Sequence, residues 1–183
     1  MLKTDLSRFN NSWYKAGNKA KIILWFLTNS LFFNTYFPIP VFIKIAILRT
    51  FGAKIGKGVV IKPSVNIKYP WFLDIGDFSW IGENVWIDNL TKVKIGKNVC
   101  LSQGSMLLTG NHDYKKTTFD LIIGEIILED GVWIGAKAIV CPNVVCYSHS
   151  ILAVNSVATK NLESFSIYQG NPAEFVRKRE IAE

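Results

Sequence analysis

Two groups of residues in this chain have the type and placement to do chemistry. The first is His112, in the run TGNHDY, one of only two histidines. Imidazole changes charge near neutral pH, and its neutral form can take a proton from an attacking hydroxyl, so His112 is a candidate general base. The second group is Lys160, Arg177, Lys178 and Arg179, a basic cluster towards the C-terminus whose side chains suit phosphate groups. His149, in CYSHSI, reads as a solvated corner residue. Cys100, Cys141 and Cys146 form no CxxC pair and are odd in number, so they read as small apolar side chains in a reducing compartment. Two histidines are too few for a three-histidine zinc site within one chain, and no metal is expected.

These residues must be positioned by a repeat of six. From Ile55 the chain reads IGKGVV, IKPSVN; from Ile75, IGDFSW, IGENVW, IDNLTK; from Ile95, IGKNVC, LSQGSM, LLTGNH; and from Leu128, six further units to ATKNLE. Thirteen of the fifteen first positions are Ile, Leu or Val, far more than the chain's composition would place there. The fifth position is mostly small or β-branched, and glycine recurs at the second, at 56, 76, 82, 96 and 135. A six-residue period makes short strands joined by corners, with the first and fifth residues inward and a tight corner expected at the second-position glycines. Three units close a triangular coil, and coils stack at about 4.8 Å. Successive coils start at 55, 75 and 95, so each carries two extra residues at one corner, around 68–74 and 91–94. The frame breaks once, after His112, where residues 113–127 must leave the coil as an external loop. Asn111, the fifth residue of its unit, is expected to point inward.

The fold class is therefore all-β dominated, a left-handed parallel β-helix of hexapeptide repeats. Three parts are expected: an N-terminal helical segment (1–50), the β-helix (51–162), and a C-terminal connection ending in a short basic helix opened by Pro172 (163–183). The net charge of +7 calls for an anionic ligand or surface, but no basic-aromatic motif supports nucleic acid. The apolar run at 22–33 is too short to span a bilayer and no cleavage site follows it. It should pack on the coil or lie in a membrane interface. A cytoplasmic protein is expected, with peripheral contact at the inner face of the membrane as the sharper alternative.

The hexads, the His-bearing loop and the run VWIGAKAIVCPNVV followed by SVATKNL and IYQGNPAEFVRKR resemble the hexapeptide-repeat acetyltransferases of the galactoside and maltose O-acetyltransferase group. YPWFLDIGDFSWIG, SQGSMLLTGNHDY and GNPAEFV look most like the colanic-acid-type exopolysaccharide acetyltransferases. The resemblance spans about residues 50–179 and implies a homotrimer with active sites between neighbouring chains, acetyl-coenzyme A as co-substrate, and a sugar hydroxyl as acceptor; an interfacial placement of the run at 22–33 would suit a lipid-linked acceptor. It implies that His112 is the base and that Asp88, Asn89 and Asn111 meet the acceptor. It also implies that Trp133, Gly135, Ala136, Val154, Thr159, Lys160 and Arg177 line the cofactor groove. Glu174 departs from the pattern, since the family commonly has arginine there. An amino-sugar or xenobiotic acceptor, or a non-catalytic β-helix scaffold, are the competing readings.

Overall fold

The computed structural model describes residues 2–183. Its centre is a stack of coils in which the fifteen first-position residues form three parallel-sheet faces. One face stacks Ile55, Ile75, Ile95, Leu128 and Cys146 in register. The second stacks Ile61, Ile81, Leu101, Ile134 and Leu152. The third stacks Ile67, Ile87, Leu107, Val140 and Ala158. All fifteen are buried, and with fifth-position residues such as Val65, Val85 and Val144 they fill the interior. The core is thus a column one side chain wide, and each hexad contributes equally to it.

The corners work differently from the expectation. The fourth residue of the hexad, not the second, takes the left-handed conformation: Gly58, Ser64, Phe78, Asn84, Asn98, Gly104, Gly131, Lys137, Asn143, His149 and Asn155 all have φ between 54° and 71°. The second-position glycines are there for proximity. A Cβ on Gly135 would stand 2.6 Å from the Val154 nitrogen one coil on, and one on Gly76 would stand 2.6 Å from the Gly96 carbonyl carbon. Coils can stack at strand spacing there only because no side chain intervenes.

Two helices close the first coil: α1 (Lys19–Phe32) and α2 (Val41–Thr50). The first strand of each face has an open edge, and unpaired edge groups invite aggregation. Each edge is met by a helix side chain. Arg49 donates to the Ile55 carbonyl at 2.7 Å. Lys44, almost fully buried, donates to the Lys62 carbonyl at 2.9 Å, and burial holds its pKa below the ordinary lysine range. Trp25 Nε1 donates to the Ile67 carbonyl at 2.8 Å, while Asn29 pairs with Asn66. The run at 22–33 therefore packs on the coil through Trp25, Asn29 and Phe33. No helix among the described residues is long and apolar enough to cross a membrane.

The far end departs from expectation too. Residues 173–178 form no helix. Ser166–Gly170 adds in parallel to the second face, and Ala173–Lys178 folds back on it as an antiparallel strand. An isolated eight-residue helix is marginal in water. The same residues as a strand gain backbone bonds along the sheet's last edge, and that context overrides local helix propensity.

Candidate active site

The corner between the third and first faces holds the extra residues foreseen in each coil. After Ile67 it runs through a 3₁₀ turn, Pro70–Phe72; after Ile87, through Asp88, Asn89 and Leu90. In the third coil the same corner lengthens into the excursion that carries His112. Thr109 is the last inward residue, its hydroxyl donating to the Asp88 carbonyl at 2.9 Å. Beyond it Gly110–His112 pairs antiparallel with Leu121–Ile123, and the chain rejoins the first face at Ile126. The predicted loop is therefore a hairpin starting at Gly110. Asn111, expected inward, is exposed, because the chain has already left the coil.

The hairpin orients His112. Its Nδ1 lies 2.9 Å from the Phe119 carbonyl oxygen, and a carbonyl can only accept, so Nδ1 carries the proton and Nε2 keeps its lone pair. The imidazole stacks on the Phe119 ring at 4.3 Å and 8° and meets Phe9 at 5.6 Å on another side. Phe119 itself has φ 51°, a conformation unfavourable for an aromatic residue by roughly 1–2 kcal/mol.

His112 opens onto a cleft of about 720 Å³ lined also by Lys68, Tyr69, Asp88, Leu90, Gly110, Asn111 and Leu121. The opposite wall comes from an N-terminal strap that carries no repeat: Phe9, Asn11, Tyr14 and Lys15, with Lys19 from α1. Three bonds hold the strap. Asp5 N donates to the Thr117 carbonyl at 2.8 Å, Tyr14 to the Leu90 carbonyl at 2.6 Å, and Trp71 Nε1 to the Ala16 carbonyl at 2.7 Å. Burial, with the nearby Tyr69 and Asp88, pushes the Tyr14 phenol well above its ordinary pKa, so it remains a donor. Asp88 is mostly buried and ion-paired to Lys68 at 2.8 Å. A carboxylate oxygen can accept more than one hydrogen bond, so Asp88 can pair with Lys68 and still accept one from the cleft.

Asn89 does not reach the cleft. It is fully buried, and both ends of its amide bind the Tyr69 backbone, at 3.0 Å and 2.6 Å. It secures the widened corner and is no candidate for acceptor contact. His149 sits at a corner with φ 61°, stacked on Phe165 and away from the cleft.

A second concavity lies at another corner of the triangle, between the second and third faces. Trp133, Gly135, Val154 and Arg177 line it together, joined by Ile151, Ala153, Ile167 and Gln169. Trp133 Nε1 donates to Ser102 Oγ at 2.8 Å, which fixes the indole as a wall. The groove continues past Arg177 to Lys178 and Arg179. Ala136 lies beside Gly135 without lining the groove, and Thr159 and Lys160 are exposed outside it. Glu174 pairs across the hairpin with Gln169 and likewise does not line the groove. Within one chain the His112 cleft and this groove share no lining residue.

A left-handed β-helix of hexads with an excursion of this kind places the chain in the hexapeptide-repeat class. No family-wide sequence profile matches the chain. It is 35% identical over 176 residues to the colanic acid biosynthesis acetyltransferase WcaF of Escherichia coli, covering 96% of this chain and 97% of that one. The chain belongs to that family of acetyltransferases. Among solved structures, a maltose O-acetyltransferase from Clostridium difficile matches with TM-score 0.80 and 22% identity over 92% of each chain. A Vibrio cholerae hexapeptide-repeat acetyltransferase, solved in complex with acetyl-coenzyme A, matches with TM-score 0.73 and 23% identity, covering 80% of this chain and 81% of that one. At these identities the structures speak for the fold.

Proposed function

We propose that the protein transfers an acetyl group from acetyl-coenzyme A directly to a sugar hydroxyl, with His112 as general base, in the biosynthesis of a surface polysaccharide. The observation that carries this is the anchored imidazole: Nδ1–H is held by Phe119, which leaves Nε2 free to accept a proton on a residue that lines the cleft. The acceptor hydroxyl gives its proton to Nε2 as its oxygen bonds to the thioester carbon. The tetrahedral intermediate then collapses, the carbon–sulfur bond breaks, and the departing thiolate takes the proton back from the imidazolium. An acyl-enzyme route through cysteine has little support. Burial pushes the thiols of Cys100, Cys141 and above all Cys146 up in pKa, away from the thiolate such a route needs.

Asp88 and Asn111, both lining the cleft, are proposed to meet the acceptor. The groove of Trp133, Gly135, Val154 and Arg177 fits a long thioester cofactor, with flat apolar walls for its arm and cations for its phosphates. Since the two sites occupy different corners of one chain, a neighbour must bring its groove to this chain's cleft, and a closed three-fold ring does so for every chain. Consumption of acetyl-coenzyme A places the reaction on the cytoplasmic side. Purified protein given acetyl-coenzyme A and a panel of sugars should release free thiol and yield a sugar ester. The same sample should sediment at three times the chain mass of 20.7 kDa. Thiol release that no sugar stimulates would overturn the reading.

The groove gives a separable expectation. Arg177→Ala should raise KM for acetyl-coenzyme A about tenfold, the scale of one charge-assisted phosphate contact, with little change in acceptor KM. Lys160→Ala, outside the groove, should change neither. Equal effects from both would place the phosphates elsewhere.

A further inference from the structure

The outer side of the helical cap is the least protein-like surface of the molecule. On α1, Ile23, Leu24, Phe26, Leu27 and Leu31 are all more than half exposed, and Tyr36, Phe37 and Phe42 extend the patch towards α2. A helix that is apolar all round is either buried or in contact with lipid, and α1 presents only one face to the coil. Charge singles out the same end. Between Asp5 and Asp74 there is no Asp or Glu at all, against ten Lys and Arg, whereas the rest of the chain has eleven basic and fourteen acidic residues. Lys15, Lys19, Lys54, Lys57 and Lys62 are exposed around the cap, and none of their ammonium groups is ion-paired among the described residues.

We propose that this face docks on an anionic lipid surface, the apolar side chains entering the interface and the lysines meeting the headgroups. A second copy of the chain fits less well, because cap against cap would oppose like charges. The groove between α1 and the third face gives the docking a use. It is lined by Trp25, Phe26, Asn29 and Trp86, and it shares Ile22, Lys68, Tyr69 and Asp88 with the His112 cleft. Phe26 belongs to both groove and patch, so the cleft runs out onto the docking face. A membrane-attached acceptor would reach His112 along it, a consequence that rests on the proposed function, while the docking itself does not. In a three-fold ring of side-by-side coils all three caps face one way and bind together.

The test is co-sedimentation of the full chain with phosphatidylcholine vesicles, with and without about 30% phosphatidylglycerol, at low and high salt. The expected result is binding to the anionic vesicles only, weakened at least about tenfold by high salt. Leu24→Gln, Leu27→Gln and Leu31→Gln together should weaken it at least about tenfold again. None of the three lines the groove or the cleft, so helicity and acetylation of a soluble sugar should be unchanged. Wild-type protein that ignores anionic vesicles at low salt, or a triple variant that binds as well as wild type, overturns the proposal. So does a triple variant that loses its oligomeric state, since the face would then be a subunit contact. Absent acetyl transfer with intact vesicle binding would count against the proposed function alone.

Discussion

His112→Ala should lower turnover by about 10²–10⁴-fold, the usual cost of losing a general base, while KM for acetyl-coenzyme A stays within about twofold of wild type. The split follows from geometry. His112 lines the cleft and none of the groove, so its removal should be felt where the hydroxyl loses its proton and not where the cofactor binds. Two companions sharpen the result. Phe119→Ala keeps the carbonyl that holds Nδ1 but removes the ring stacked at 4.3 Å, so the imidazole gains freedom without losing its tautomer. Its turnover should fall by a smaller factor than that of His112→Ala. Asp88→Ala should raise acceptor KM, because the carboxylate in the cleft wall is gone and Lys68 is left unpaired. Steady-state rates measured by thiol release check all three. Wild-type turnover in His112→Ala would mean that the proton leaves by another route.

What the sequence displayed and what it hid follow from how each feature is encoded. The interior was legible because the information is repeated: Ile55, Ile75 and Ile95 each specify the same environment, and fifteen such positions leave one frame. The active corner was half legible. Its signal was the two surplus residues per coil, around 68–74 and 91–94, which mark the corner beside Asp88 as longer than the others. Which residue of that corner faces the cleft was not encoded locally. Asp88 and Asn89 are adjacent and similar, yet one lines the cleft and the other spends its amide on Tyr69. The strap with Phe9 and Tyr14 carries no period, and only tertiary bonds to Thr117, Leu90 and Trp71 place it. The C-terminal hairpin was misread for the converse reason. Local composition favoured a helix over 173–180, while the open edge of the second face, invisible in a window of eight residues, selected a strand over 173–178.

Trp25→Ala should lower stability by about 3–5 kcal/mol, the range for deleting a large buried aromatic, and the melting temperature by roughly 6–20 °C for a chain of this size. Trp25 is 1% exposed, packs against Phe33 at 5.3 Å and Phe51 at 5.0 Å, and donates to the Ile67 carbonyl at the open edge of the third face. Trp25→Phe divides the two contributions: most of the packing survives, and the loss should shrink to about 1–3 kcal/mol for the unpaired buried carbonyl. The contrast with Leu24, Leu27 and Leu31 lies within one helix. They project from the side of α1 that the coil leaves uncovered, so their replacement by Gln should leave the melting temperature almost unchanged while Trp25→Ala lowers it steeply. Because α1 also brings Lys19 to the cleft and Ile22 to its floor, a loosened cap should raise acceptor KM before the coil melts. A Trp25→Ala protein that melts with wild type would mean that the coil is stable without its cap. Thermal unfolding followed by circular dichroism separates the two faces of α1 in a single experiment.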